Sequence, residues 1–231
     1  MIVLAIDTAT PATVIGLLDA DGGVLEARDD PRPGERPGHS TRLLPLAAGL
    51  LAGSGMGWGD VERIAVGVGP GTFTGLRVGV ATAHGLAQSS GAELVGVSSL
   101  RALALGVDSG PPVLAAIDAR RGEVFVAGYQ GEMELLSPRP IAPEVVPELL
   151  AEQADLFAGG NCMAVGDGAV LYRAAFEQTG LSVPPEDSTL HRIRAAALCE
   201  LGVNAPPSEA LVLPDYLRRP DAAIALEGAA S

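Results

Sequence analysis

Two aspartates close apolar runs that resemble each other, and they are the first candidates for chemistry. Asp7 ends the run Val-Leu-Ala-Ile-Asp, and Asp118 ends Val-Leu-Ala-Ala-Ile-Asp about half the chain later. A carboxylate in such a place can act as a general base, or it can bond to the backbone of the turn that follows. The turn after Asp7 has no glycine, and Pro11 lacks an N–H group, so the turn is poorly suited to holding phosphate. We therefore favour the turn-bonding interpretation for Asp7.

A glycine-rich loop offers a second possible anion site. Residues 69–75 read Gly-Pro-Gly-Thr-Phe-Thr-Gly and lead into an apolar stretch with helical spacing. Backbone N–H groups at the start of a helix can bind anions. Glycines at such a position also let a strand and a helix cross closely, because they have no side chain to clash. We favour the close crossing over the anion site.

The residue types needed for metal or covalent catalysis are scarce or scattered. The three histidines lie far apart in the sequence, and the two cysteines show neither a Cys-x-x-Cys nor a Cys/His spacing. The chain has no lysine, which excludes a P-loop lysine and a Schiff base. No Gly-x-Ser-x-Gly motif surrounds Ser40, Ser98 or Ser99. The sequence therefore predicts no metal, no cofactor and no catalytic residue.

Composition and charge narrow the class of protein. The chain has 231 residues, of which 48% are hydrophobic and 3% aromatic, and its formal net charge is −13. This composition is typical of a folded protein with a dense aliphatic core. The negative charge disfavours direct binding to nucleic acid, which depends on cationic side chains that neutralise phosphates. The first apolar run is too short for a signal peptide or a membrane span, so we expect a cytoplasmic protein that meets RNA only through partners.

The elements that would hold these residues are repeated. Residues 3–27 read as a strand, a second strand, a tight turn and a third strand, and residues 113–136 follow the same order. Strands and helices then alternate, which indicates mixed sheets covered by helices. The predicted fold class is α/β: a duplicated actin/Hsp70-like (ASKHA) fold with two lobes, each a mixed sheet flanked by helices. We expect an actin-like lobe at 1–108, a degenerate second lobe at 109–208, and a C-terminal segment, 209–231, that packs back on the first.

Hydrophobic spacing and capping residues predict the individual elements. Ser40 is predicted to cap the first long helix, and Ser98 a short one. The predicted helices span 43–52, 74–88, 98–105, 143–154, 169–178 and 189–201, and the later strands span 61–68, 93–97 and 162–165.

Two predicted helices of the first lobe are apolar on nearly every side. Such a helix needs cover on more than one side, from its own sheet and from something else. We therefore predict a partner interface on residues 41–52 and 74–88, and an alanine-rich core without a partner is the alternative. The residues predicted to form this interface are Leu43, Leu44, Ala47, Ala48, Leu51, Leu76, Val80, Ala83, His84 and Ala87.

Several ordered motifs resemble those of the TsaB family and extend along nearly the whole chain. They are Ile6-Asp-Thr8, His39-Ser40 before Leu43-Leu-Pro45, the loop 69–75, Gly96-Val-Ser-Ser-Leu100, Ile117-Asp-Ala-Arg-Arg121, Gly166-Asp-Gly168 and Pro214-Asp-Tyr-Leu-Arg218. The resemblance implies a non-catalytic subunit that dimerises with TsaD. TsaD transfers threonylcarbamoyl to N6 of adenosine 37 (t6A) in tRNAs that read ANN codons. A TsaE-type ATPase would join this dimer, a TsaC-type synthase would supply threonylcarbamoyl-adenylate, and the chain alone could form a homodimer.

The resemblance also bears on the candidate site residues. TsaD-type proteins carry a histidine-rich metal motif where this chain reads Ser98-Ser-Leu-Arg-Ala-Leu103, without imidazole or carboxylate. Because the fold class is related to nucleotide-binding enzymes, we interpret six residues as relics of a degenerate nucleotide site. They are Asp7, Thr8, Gly69, Gly71, Gly75 and Asp118. Two other classes stay open: an autonomous actin-like ATPase and a glycoprotease-like metallopeptidase.

Overall fold

Two mixed sheets with helices on both faces form the architecture, which confirms the predicted fold class. The computed structural model of the protein describes residues 1–32, 34–107, 110–152, 162–208 and 210–217. The predicted boundary between residues 108 and 109 and most of the predicted segment 209–231 lie outside these ranges.

The first sheet has five strands in the order β3-β2-β1-β4-β5. They are β1 (Val3–Asp7), β2 (Thr13–Leu18), β3 (Val24–Asp29), β4 (Arg63–Gly69) and β5 (Glu93–Ser98). The first three strands form an antiparallel meander, and β4 and β5 run parallel to β1. Every residue of β1 is buried, because helices cover both faces of the sheet at its centre.

The second sheet repeats this arrangement with four strands in the order β8-β7-β6-β9. They are β6 (Val113–Arg120), β7 (Glu123–Gln130), β8 (Met133–Ile141) and β9 (Met163–Val165). The strand β6 pairs antiparallel with β7 and parallel with β9, as β1 pairs with β2 and β4. The shared order confirms the duplication predicted from the sequence.

The helices lie where the sequence predicts helices, but most of them begin or end at other residues than predicted. They are α1 (His39–Gly53), α2 (Phe73–Ser90), α3 (Ser99–Ala104), α4 (Val146–Glu152), α5 (Asp167–Leu171), α6 (Arg173–Glu177) and α7 (Ala195–Asn204). Short 3-10 turns span Trp58–Asp60, Pro143–Val145 and Thr189–His191. No helix in the described ranges is both long and apolar enough to cross a bilayer.

Of the two predicted helix caps, one is confirmed and the other is wrong. The Ser98 side chain accepts a hydrogen bond from the amide of Arg101 at 3.3 Å, which confirms the predicted cap of α3. The predicted cap at Ser40 is wrong, because α1 already begins at His39 and its N-cap is Gly38.

Two predicted helices are interrupted. The one predicted at 169–178 is divided into α5 and α6 at Tyr172, and the one predicted at 189–201 begins as a 3-10 turn and restarts at Ala195. The helix predicted at 143–154 begins as a 3-10 turn and continues as α4, and residues 153 and 154 lie outside the described ranges.

Helices lie on the outer face of each sheet and also between the two sheets. Helices α1 and α2 cover the outer face of the first sheet, and α4, α5 and α6 pack on the outer face of the second. Between the sheets lie α3, which contacts β4 and β5 of the first sheet as well as β6 and β7 of the second, and α7, which lies across the first sheet. Both sheets therefore contribute to one central core.

Polar contacts fix both ends of α7 on the first sheet. At its start, the Ala195 amide donates a hydrogen bond to Glu26 Oε2 at 2.7 Å. At its end, the buried Arg63 guanidinium donates to three backbone carbonyls and pairs with Glu93 at 2.6 Å. Since the last carbonyls of a helix have no partner within the helix, Arg63 supplies the missing donors.

Candidate functional site

The predicted interface helix α1 is divided sharply between a buried and an exposed side. Leu43, Ala47 and Leu51 are buried against the first sheet. Leu44 and Ala48 point away from it, and Leu44 is 47% exposed. In the part of the chain that the structure describes, the exposed side of α1 beyond its polar first turn therefore consists of small and apolar residues without cover.

Helix α2 shows the same division. Its buried side carries Leu76, Val80, Ala83 and Ala87, which pack in the same core as the buried residues of α1. The exposed residues of α2 include Phe73, Arg77, Ala81 and Gly85.

Most of the predicted interface residues are therefore core residues of the lobe itself, and the prediction for them is corrected. The seven that are buried are Leu43, Ala47, Leu51, Leu76, Val80, Ala83 and Ala87. These side chains bury their apolar area against the sheet of their own lobe. Leu44 and Ala48 are exposed as the prediction requires, while His84 is half-buried and its Nε2 donates to the Val212 carbonyl oxygen at 2.8 Å.

The turn after β1 holds Asp7 in a fully buried position. Its Oδ1 accepts from the Ala9 amide at 2.9 Å, and its Oδ2 accepts from Ser99 Oγ at 2.6 Å. Burial raises the pKa of the Asp7 carboxyl to about 6, although the bonds from Ser99 and Ala9 lower it. Gly67 in β4 leaves room for the carboxylate, because a Cβ at that position would overlap Asp7 Oδ2. Asp7 thus bonds to its own turn and to α3.

The contact between Asp7 and Ser99 escaped the sequence analysis, since the two residues are distant in the chain. A glycine inside the otherwise apolar strand β4 was the available signal, because such a residue often marks a close approach of another group. Both Ser99 and Asp7 have no exposed surface. Neither group can reach a substrate in this conformation.

The glycine-rich loop packs directly on the same turn. The Thr72 amide donates to the Ala9 carbonyl oxygen at 2.8 Å, and Thr8 Oγ1 donates to the Gly75 carbonyl oxygen at 2.7 Å. A Cβ at Gly71 would overlap the Ala9 backbone, and one at Gly75 would overlap the Thr8 carbonyl oxygen. The backbone of the turn thus occupies the space that these glycines leave.

A buried histidine lies beside this contact. His39 Nδ1 is 2.8 Å from Thr13 Oγ1, and its Nε2 is buried without a hydrogen-bond partner among the described residues. Burial lowers the pKa of His39, against a smaller opposing effect of Asp29. In the sequence, His39 stands out only as part of a family motif.

The second turn is built around Asp118 and Asp167. Asp167 Oδ1 accepts from the Asp118 amide at 3.0 Å, and burial raises the pKa of Asp167. Asp118 Oδ1 accepts from the Arg120 amide at 2.8 Å, and its Oδ2 pairs with the Arg120 guanidinium at 3.0 Å. Arg120 and Arg121 both have positive φ, 63° and 57°. Asp118 therefore bonds to the turn that follows it, as Asp7 does.

A cleft of about 200 Å³ lies beside the first turn and Asp167. Its lining is mainly apolar and includes Pro11, Leu103 and Ile117. The polar and charged groups in its lining come from Arg28, Asp30, Asp167, His191 and Arg192. Within the described residues, no three side chains of the types His, Cys, Asp and Glu come together as metal ligands would.

Comparison with solved structures defines the class of protein. The fold is shared with a ROK hexokinase from Thermus thermophilus, at a TM-score of 0.51 and 15% identity, over 89% of this chain and 100% of that one. YeaZ from Pseudomonas aeruginosa is more similar, at a TM-score of 0.68 and 30% identity over 87% of this chain and 89% of that one. The protein is therefore a two-lobed molecule of the actin-like fold class.

Sequence relatives define the family. The family model described as TsaD, tRNA N6-adenosine threonylcarbamoyltransferase, matches residues 35–226. The tRNA threonylcarbamoyladenosine biosynthesis protein TsaB of Escherichia coli K12 is 35% identical over 189 residues, 78% of each chain. The protein of the same name from Bacillus subtilis is 30% identical over 230 residues, 96% of each chain. The chain therefore belongs to the TsaB family, within the larger family that the TsaD model describes.

A catalytic member of that larger family is also similar to part of the chain. The tRNA N6-adenosine threonylcarbamoyltransferase of Solidesulfovibrio magneticus is 36% identical over 125 residues, which cover 49% of this chain and 33% of the transferase. This chain therefore shares a segment of common origin with a transferase much longer than itself.

Proposed function

We propose that this protein is the non-catalytic subunit that pairs with a TsaD-type transferase in t6A biosynthesis. The reaction of the pair is transfer of threonylcarbamoyl to N6 of adenosine 37 in tRNAs that read ANN codons. The observation that carries the proposal is the uncovered apolar side of α1 and α2 in a chain of the TsaB family. Leu44 and Ala48 on α1 and Ala81 on α2 are exposed on the same outer layer of the first lobe.

The burial and hydrogen bonding of the candidate catalytic groups support a non-catalytic role. Asp7 and Ser99 are fully buried and bonded to each other, which leaves neither free to act as base or nucleophile. The Thr72 amide, at the start of α2, is already bonded to Ala9. A phosphate would have to displace the turn to reach the loop, which counts against an ATPase.

The remaining partners follow from the same proposal. A TsaE-type ATPase would bind the heterodimer, and the free chain could use the same face to form a homodimer. The net charge of −13 leaves most contact with tRNA to the other subunits. All of these steps would take place in the cytoplasm.

Reconstituted modification of tRNA tests the proposal. Purified TsaC-, TsaD- and TsaE-type proteins of the same organism are combined with an ANN-decoding tRNA, with and without this chain, and t6A is measured by mass spectrometry of the nucleosides. We expect t6A to form only when this chain is present. Undiminished t6A formation in its absence would contradict the proposal.

One exposed position tests the surface itself. The Ala48→Asp variant adds a carboxylate to the outward side of α1, where a dry interface would leave it unpaired. Such a charge costs about 3 kcal/mol, so we expect roughly 100-fold weaker binding to the TsaD-type subunit in a titration. The Ala174→Asp variant adds the same charge to an exposed position on α6 of the second lobe and should bind normally. Equal affinities of the two variants would exclude the α1 surface.

A further inference from the structure

The outer layer of the first lobe has a third member beside α1 and α2. Residues 210–217, called the strap below, belong to no helix or strand and run beside α2 over β4 and β5. Val212 of the strap is buried in the same core as Val80 of α2, and its side chain lies against Gly96 of β5. The strap therefore completes the cover of this face of the sheet.

Specific bonds hold the strap in this position. The Val212 carbonyl oxygen accepts from His84 Nε2 at 2.8 Å, and the Asp215 amide donates to the Val68 carbonyl oxygen at 2.7 Å. Tyr216 Oη accepts from Arg77 Nε at 3.1 Å. The strap is thus fixed to α2 and β4 at three points along its length.

The side chains on either side of Val212 point outward. Leu211 is 68% exposed and Leu213 is 63% exposed, whereas Val212 between them is only 8% exposed. This alternation is that of an extended segment with one face in a core. Among the described residues, none covers these two outward leucines.

An aromatic group continues this apolar face onto the start of α2. The rings of Phe73 and Tyr216 lie 5.1 Å apart, and the Arg77 guanidinium stacks 3.8 Å above the Phe73 ring. Both rings are partly exposed. The stack joins the strap to α2 as one surface.

Exposed apolar side chains concentrate on this layer. Of the twelve large apolar residues that are exposed in the described ranges, five lie on α1, α2 or the strap. They are Leu44, Phe73, Leu211, Leu213 and Tyr216. A concentration of this kind on a folded protein usually marks a contact surface.

We propose that the strap forms part of the surface that binds the TsaD-type transferase, with Leu211 and Leu213 as contact residues. The inference rests on the proposed function. A stable complex buries about 800 Å² on each partner, and small residues such as Ala48, Ala81 and Gly85 offer little apolar area on the helices alone. The strap lies next to α2 in the same layer and supplies the larger side chains, so a partner seated on the helices and extending over β5 buries them.

A double substitution with a matched control tests the strap. The variant Leu211→Ser/Leu213→Ser removes two exposed leucines and leaves the buried Val212 in place. The control Met133→Ser/Leu171→Ser removes two residues of similar exposure, 64% and 58%, from the second lobe. Binding of each variant to the purified TsaD-type subunit is measured by calorimetric titration, and folding is checked by thermal unfolding. We expect at least ~10-fold weaker binding for the strap variant and unchanged binding for the control, with equal unfolding temperatures.

Comparison with the Ala48→Asp variant distinguishes a failure of this inference from a failure of the proposed function. If Ala48→Asp weakens binding and the strap variant does not, the strap is outside the interface and the inference is overturned, although the proposed function stands. If the full-length chain does not bind the transferase at all, both fail. If the strap variant only converts a homodimer to a monomer in sedimentation, with unchanged affinity for the transferase, the strap binds a second copy and the inference is likewise overturned.

Discussion

At the scale of single residues, the main feature is a carboxyl group without access to water. Asp7 is fully buried, and among the described residues Ser99 is the one side chain that donates a proton to it in a hydrogen bond. Burial raises its pKa from 3.8 to about 6, so the folded protein binds a proton more tightly than the unfolded chain does. This contribution to stability is complete below pH 3.8 and is lost as the pH rises through about 6. At neutral pH the ionised Asp7 therefore lowers the free energy of unfolding.

The Asp7→Asn variant should be more stable than the original protein at pH 7.5, by about 2 kcal/mol. An amide keeps an oxygen for the Ala9 N–H but carries no charge to desolvate. The advantage should shrink as the pH is lowered from 7.5 to 4.5, because Asp7 then becomes neutral in the original protein. Urea unfolding at several pH values measures this difference, with Asp21→Asn in the exposed turn after β2 as the control. A difference that stays constant with pH would contradict the assignment.

At the scale of elements, the glycines of α2 have two different roles. Gly79 faces the turn after β1, where a Cβ would overlap Thr8 Oγ1, while Gly85 on the same helix faces open space. The lack of a side chain at Gly79 therefore allows close contact with the chain's own first turn.

Two alanine substitutions on α2 should therefore have opposite effects. Gly79→Ala should destabilise the protein by about 1–3 kcal/mol, because the methyl group forces Thr8 out of place. Gly85→Ala should stabilise it by about 0.5–1 kcal/mol, since alanine favours the helix and meets no neighbour. Denaturant unfolding of the two variants measures both values. Equal changes would show that α2 does not pack on the turn as described.

At the scale of the whole molecule, the two lobes share a central core in addition to the outer core of each lobe. The helix α3 contacts the second sheet and α7 lies across the first, so neither sheet keeps a complete cover when the other unfolds. Arg63 and Glu26 anchor α7 to the first sheet from residues distant in sequence. The two lobes are therefore joined by packing as well as by the chain.

We expect the lobes to unfold together in a single transition. Trp58 is the only tryptophan of the chain and packs at the core of the first lobe, so its fluorescence reports that lobe alone. Far-ultraviolet circular dichroism reports helices and strands of both lobes. The two signals should change at the same urea concentration. A second transition in the dichroism after Trp58 has already become exposed would contradict a shared core.

The sequence by itself determined the local features of the protein. The strands of each copy and the Ser98 cap depend on residue types at short spacing, and the duplication is the recurrence of such a local pattern; all three appear in the structure. The motifs also identified the family, because each is a short run that stays recognisable in isolation. The apolar character of α1 and α2 was equally evident, since it depends only on composition.

Only the tertiary structure decided which side of each helix is buried. A helix that is apolar all round carries no local signal for the side that meets the sheet, so Leu43 and Ala83 were assigned to the wrong surface. The bond between Asp7 and Ser99 and the overlap of Gly79 with Thr8 depend on residues distant in the chain. The strap's outward leucines likewise became visible only once Val212 was placed in the core. Local spacing specifies the elements, whereas their faces are selected by contacts that form only when distant segments pack together.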